Sequence, residues 1–260
     1  MYMSSPLKSA VAIFALSVAA ISLVPSFAHA EPVSIGDAVS VENRVTGARS
    51  GKVTEIEPGE PVFGNDVVRT ESNSLARLTF LDQTNLAIGP GSSVTLDKFV
   101  YDSEASAASV VLNTAKGGFR FVTGRSDPRA FKINTPVATI GIRGTVLDIE
   151  NSGGQSLIVL KKGGLHVCVR GSSTNCVDLN EPDQFVVVRK GSVSTPQPGG
   201  SQEFDFHRYC IERELHHWEI CDLGGSFAGN DSVPLKHGRG ETTPPPPPPP
   251  PTRTCTQRGR

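Results

Sequence analysis

Between Val33 and Val193 the chain alternates apolar and polar residues over short runs, and nearly every run ends in a turn signal. The stops include Pro58-Gly59, Gly64-Asn65, Gly89-Pro90-Gly91, Lys116-Gly117-Gly118, Ser152-Gly153-Gly154 and Lys190-Gly191. Between them the period is two. Ala76, Leu78 and Phe80 face one way while Arg77 and Thr79 face the other; Phe131 and Ile133 alternate with Lys132 and Asn134, and Val94 and Leu96 flank Thr95. Side chains at a spacing of two share one face of a strand, so this pattern predicts strands. The runs Leu157–Leu160 and Phe185–Val188 are apolar throughout, as in strands covered on both faces. Regular short strands with Gly and Pro turns predict an all-β fold over residues 31–195, a sandwich, barrel or roll.

The pattern changes after that. Residues 196–202 read as a polar Pro/Gly linker. Over 203–223, Phe204, Ile211, Leu215 and Trp218 recur at helical spacing, which predicts one short amphipathic helix. From Gly224 to Arg260 the composition is Gly, Ser, Asn, Asp and Pro, with eight consecutive prolines at 244–251; this predicts a disordered tail.

The first thirty residues have another character. Lys8, the apolar run Ala10–Val24 and the small-x-small site Ala28-His29-Ala30 form a secretory signal pattern, with cleavage expected after Ala30. The run is shorter than the ~20 residues that span a bilayer, and no second such run follows, so no integral membrane segment is expected after cleavage. Removal of the signal leaves 24 basic residues against 26 acidic ones, too balanced to draw nucleic acid.

Export makes disulfides possible, and the chain has five cysteines. A hairpin centred on Ser172 puts Cys168 opposite Cys176, on the face shared with His166 and Asp178; opposite residues lie ~4.5 Å apart, within disulfide range. Cys210 and Cys221 are harder to place. In one continuous helix they lie ~16 Å apart and can neither bridge nor share a metal. Either the helix breaks between them and they pair, or each has another partner. His207, His216 and His217 beside them suggest a zinc or copper site; incidental histidines on a helix are the competing reading, and no metal or cofactor is assigned. An odd count leaves one thiol over.

The most distinctive segment runs from Phe131 to Val146 and contains Thr135-Pro136 and Gly141-Ile142-Arg143-Gly144-Thr145. It reads as a strand ending at Thr135-Pro136, a tight passage through Gly141–Gly144, where both glycines permit positive φ, and a further strand to Ile149. Arg143 is then either a fork for a carboxylate partner or a residue packed over the sheet onto buried carbonyls. Together with Gly64–Thr70, Leu75–Phe80, Leu86–Ser92 and Thr95–Asp97 upstream, this order of motifs resembles the FecR family of periplasmic domains. The resemblance covers about residues 60–150 well and 35–190 more loosely. It implies a periplasmic β-solenoid-like or rolled β module that, in the best-known members, receives a signal from an outer-membrane iron transporter and relays it through a membrane helix to a cytoplasmic segment that controls a sigma factor. Since only the thirty signal residues precede the module here, a stand-alone receiver is expected, without the anti-sigma and transmembrane parts.

No G-x-S-x-G elbow, HExxH, P-loop or Rossmann glycine pattern is present. Acids such as Asp82, Asp97, Asp102 and Asp148 read as scattered turn residues. A non-enzymatic periplasmic sensory or protein-interaction module, with an envelope protein as partner and strand addition as the means, is the first expectation. The alternative is a structural envelope or surface scaffold, and a third is a small-ligand or metal-binding protein.

Overall fold

The structure, a computed structural model, describes residues 33–102, 104–211 and 218–221. The signal segment, the proline tail, Leu215, His216, His217 and Cys255 lie outside the described residues. Fifteen strands are found among those described: β1 (Ser34–Glu42), β2 (Val45–Arg49), β3 (Lys52–Glu55), β4 (Pro61–Phe63), β5 (Val67–Thr70), β6 (Leu75–Phe80), β7 (Asn85–Ile88), β8 (Ser93–Tyr101), β9 (Ala107–Val122), β10 (Phe131–Asn134), β11 (Ala138–Ser152), β12 (Gln155–Val169), β13 (Cys176–Leu179), β14 (Phe185–Arg189) and β15 (Ser192–Val193). The all-β expectation holds.

The strands form two layers that share their longest members. One layer runs β13-β12-β11-β10-β9-β8-β5-β2-β3. The other runs β15-β14-β12-β11-β9-β7-β6-β1-β4. β9, β11 and β12 belong to both because each bends midway. In β11 the first half pairs with β10 and the second half with β9. The β9–β10 pair is parallel, so the sheet is mixed.

One core fills the space between the layers. Val68, Leu96, Ile133 and Ile140 come from the first layer, and Leu78, Phe80, Ile149, Ile158 and Leu160 from the second. Ring contacts cross the gap, Phe80 to Phe99 at 4.8 Å and Phe121 to Phe131 at 5.7 Å. The alternation read in Leu75–Phe80 and Phe131–Asn134 matches this burial, with Phe80, Phe131 and Ile133 buried and Lys132 exposed.

The second layer is covered on its other face too. Leu75, Ala87, Val122, Val146, Leu157, Val159 and Phe185 form a second apolar cluster, closed by Phe204, Phe206, Cys210, Ile220 and Cys221. This explains the two runs that are apolar throughout: Ile158 and Leu160 turn to the central core, Leu157 and Val159 to the C-terminal strap. Full burial of each strap aromatic contributes about 1.5–3 kcal/mol.

The strap is not the single helix expected over 203–223. Helix α1 (Gly200–Glu203) begins inside the expected linker, and Phe204 returns to extended backbone at φ −152° and ψ 127°. Helices α2 (Arg208–Ile211) and α3 (Trp218–Cys221) follow. The Cα atoms of Cys210 and Cys221 are 6.4 Å apart and their sulfurs are bonded, a separation that one continuous helix between them would not allow. The physical reason lies at Phe204–Phe206. An extended i, i+2 pair faces one way, which places both rings on the sheet, where one continuous helix would turn them about 200° apart. The linker is also tied down: Gln197 bridges Phe185, and the Gly200 N–H donates to the Asp183 carbonyl.

Charge fixes the strap as well. Arg120 is held by Asp148 through two bonds of 2.7 Å, and it reaches Asp205 at 2.8 Å and the Cys221 carbonyl at 3.2 Å. Lys161 adds a second bond to Asp205, at 2.8 Å. Burial is the largest influence on Asp205 and opposes its charge. The Lys161 hydrogen bond, the His207 N–H and the charges of Lys161 and Arg120 outweigh it and hold the carboxyl down at about 2. A carboxyl whose folded value lies below the ordinary 3.8 stabilises the attached strap above that value, and the contribution is lost as pH falls from about 4 to about 2. Hydrogen exchange across this window is therefore expected to show the amides of Phe206–Cys210 losing protection before those of β11 and β12. Simultaneous loss in strap and sheet would place the acid-sensitive contact elsewhere.

Candidate functional site

The outer face of the first layer remains open, and of the signature residues Arg143 lies exposed on it while Thr135 and Thr145 are buried. Thr135 is buried at the turn between β10 and β11. Its hydroxyl accepts from the Val137 and Ala138 N–H groups and from the Ser156 hydroxyl, at 3.2, 2.8 and 2.8 Å. Its carbonyl accepts from the Arg170 guanidinium. Pro136 is the exposed corner of that turn. This is where the chain reverses, and the tight passage read at Gly141–Gly144 is instead a bulge inside the continuous strand β11.

The bulge has a specific task. Between Arg143 and Leu147 the register against β12 shifts, and beyond it the strand pairs with β9 in the second layer. Gly144 takes φ +62° and Gly163 opposite takes φ +86°; Gly141 stays in ordinary strand conformation, contrary to the expectation for both glycines around Arg143. Thr145 stitches the bend together. Its hydroxyl donates to the Gly164 carbonyl at 2.7 Å, and its N–H donates to the Thr123 hydroxyl at 2.9 Å. The signature Gly-x-Arg-Gly-Thr therefore marks the place where a strand leaves one layer for the other.

Arg143 emerges at this bend with half its side chain exposed. It does not bond buried carbonyls. Its guanidinium donates to Asp178 Oδ1, in the end strand β13, at 3.0 Å and to the side chain of Asn180, just after that strand, at 3.3 Å. The same Asp178 oxygen lies 2.9 Å from His166 Nδ1, and His166 Nε2 lies 3.3 Å from Cys168 Sγ. Cys168 is bonded to Cys176 directly across the β12–β13 pair, with Cα atoms 4.0 Å apart. This is the register that a hairpin centred on Ser172 requires. His166, Cys168 and Cys176 form the metal-compatible group found among the described residues, but the bridge engages both sulfurs. The histidine-rich segment offers less: Cys210 and Cys221 pair with each other, and His216 and His217 lie outside the described residues.

Away from Arg143 the same face carries a polar row across four strands. Asn113 donates to Asp97 at 2.7 Å, Asn134 to Asn113 at 3.0 Å, and Thr139 to Asn134 at 3.1 Å. β13 ends this layer. Because Cys168 and Cys176 face each other at short Cα separation, they are a non-hydrogen-bonded pair, and the peptide groups of Cys176 and Asp178 point to the open edge. Val33, Phe63, Leu81, Phe99, Val100 and Tyr101, with Ser34, Asn65 and Asp102 among them, line a cleft of about 670 Å³.

The sequence reading missed the Arg120–Asp148 pair. Asp148 is not a turn residue: it lies fully buried in mid-β11, opposite Arg120 of β9. The signal was present as one charge inside each of two apolar strands, Phe119-Arg120-Phe121 and Leu147-Asp148-Ile149. Buried charges are paired, so each predicts the other.

Comparisons with known proteins agree with the signature. Residues 66–166 match the family model described as FecR protein, a span that starts beside β5 and contains the whole Thr135–Thr145 segment. No curated protein matches the chain. Two crystal structures of a candidate anti-sigma factor from Parabacteroides distasonis resemble it at 14% identity and a TM-score of 0.41, over 51% of this chain and 59% of that one. The chain thus spans less than two thirds of that protein. Among the described residues no helix is long and apolar enough to cross a membrane. Residues 66–166 of the fold thus carry a match to the FecR family model, consistent with a FecR-domain-containing protein.

Proposed function

We propose that this FecR-domain protein is an exported, non-enzymatic interaction module of the periplasm that receives an envelope protein on the Arg143 face. The observation that carries the reading is the contrast between the two layers. The second is apolar on both sides and sealed by the strap, whereas the first presents an open polar face that ends at the unpaired edge of β13. Strand addition there supplies main-chain hydrogen bonds from Cys176 and Asp178, and the half-exposed Arg143, Asp178 and His166 beside it supply selectivity. The signal pattern in the first thirty residues supports export and cleavage after Ala30.

The reading is tested in cells that express the full chain with a photo-reactive residue at position 178. The chain is expected in the periplasmic fraction, beginning at Glu31, with an adduct to a second protein. A cytoplasmic chain that retains Met1 contradicts the export half. A periplasmic chain that gives adducts only from other positions contradicts the docking half.

A further inference from the structure

The outward-facing residues of the β12–β13 pair form two cross-strand couples, Cys168–Cys176 and His166–Asp178. They are connected in a line. Arg143 holds Asp178, Asp178 holds His166 Nδ1, and His166 Nε2 faces Cys168 Sγ. With Nδ1–H directed at the carboxylate, Nε2 is the ring atom turned to the sulfur. Once the imidazole is protonated, charge alternates along this line: guanidinium, carboxylate, imidazolium, sulfur. A sulfur at the end of such a line is stabilised as the thiolate, because the adjacent cation favours it and Arg143 offsets the charge of Asp178.

The two sulfurs differ in access. Cys168 is buried at 8% exposure while Cys176 is more open, so a nucleophile arriving from solvent meets Cys176 first. The second bridge has no open member, since Cys210 and Cys221 are 8% and 1% exposed.

We propose that Cys168–Cys176 is a thiol–disulfide exchange site for an external dithiol, with Cys176 as the sulfur attacked, Cys168 as the leaving thiolate and His166 as its positioning residue. A thiolate of the dithiol attacks Cys176 Sγ. The Cys168–Cys176 bond breaks, its electron pair stays on Cys168 Sγ, and a mixed disulfide forms at Cys176. The second thiol of the dithiol, after losing its proton, attacks the dithiol's own sulfur in that mixed disulfide. Cys176 leaves as a thiolate and takes a proton from water. The dithiol gives up two electrons and its two thiol protons and becomes a disulfide; the protein bridge gains the electrons, with Cys176 left as the thiol and Cys168 as the thiolate beside His166. A leaving thiolate stabilised by a neighbouring cation departs faster, and His166 Nε2, 3.3 Å from Cys168 Sγ, is placed to supply it. The exchange needs no docked partner.

The test uses the exported chain carrying Cys255→Ser, which removes the odd cysteine as an attacking group. Dithiothreitol is the probe, with alkylation and peptide mass spectrometry as the readout. Cys168 and Cys176 are expected to become alkylated at least about tenfold faster than Cys210 and Cys221. Glutathione is expected to be trapped on Cys176. His166→Gln is expected to slow reduction of this bridge about tenfold and to remove thiolate absorbance at about 240 nm from the reduced protein, at unchanged melting temperature. Asp178→Asn serves as the second variant and shifts both readouts in the same direction. Equal reduction rates for the two bridges, trapping on Cys168, or a wild-type rate in His166→Gln overturns the proposal.

Discussion

Replacing Asp148 with alanine is expected to remove about 3–5 kcal/mol of stability, because it strips a buried guanidinium of its bidentate partner. Arg120 is 8% exposed in its side chain and Asp148 is fully buried, so water cannot take over the lost bonds. Burial is the largest influence on Arg120 and disfavours its charge; the hydrogen bonds and charges of Asp148 and Asp205 outweigh it. Asp148 also accepts the Phe206 N–H at 3.1 Å, so its loss loosens the strap at the ring that seals the second cluster. For a domain of this size, about 2–4 °C per kcal/mol places the fall in melting temperature at about 6–20 °C. Urea denaturation of wild type and Asp148→Ala measures the free-energy loss, and a thermal melt measures the fall in melting temperature. Replacing both partners, as in Arg120→Met with Asp148→Leu, is expected to recover much of the loss, since no charge is then left unpaired. A single variant within about 1 kcal/mol of wild type would show that the pair does not hold the strap.

Gly163→Ala is the second large effect. At φ +86° an alanine pays about 1–2 kcal/mol for left-handed backbone. Its Cβ would also lie 2.0 Å from the Gly144 carbonyl oxygen and 3.0 Å from that of Arg143, and backbone cannot swing aside as a side chain does. Forced repacking adds about 1–3 kcal/mol, so a total of about 3 kcal/mol is expected. Gly191→Ala is the control. It shares the conformation, at φ +81°, but meets nothing within 4 Å. It should cost about 1–2 kcal/mol, the backbone share alone. Equal losses in the two variants would mean that the bend is not tightly packed.

The strands were legible because burial on one face imposes a period of two, as in Ala76, Leu78 and Phe80. The bend at Gly144 was not. A glycine permits positive φ but does not say whether the chain reverses or changes layers, and only the partners of β11 on either side decide that. Arg143 had the same difficulty: its partners Asp178 and Asn180 are more than thirty residues away and enter its reach only through pairing of β11, β12 and β13. The strap misled for a different reason. Phe204, Ile211 and Trp218 satisfy a helical period, but the apolar surface of Val159 and Phe185 selects the extended Phe204–Phe206 pair instead.

The Arg143 face is the surface proposed to meet a partner. Position-resolved photo-crosslinking in the envelope tests it directly, with the reactive residue placed in turn at Lys132 and Asp178 on that face and at Gln202 and Glu203 on the strap, all exposed. Adducts to one protein from 132 and 178, weakened by Arg143→Ala and absent from 202 and 203, are the expected result. Adducts from the strap positions alone, or from 132 and 178 with no response to Arg143→Ala, would contradict it.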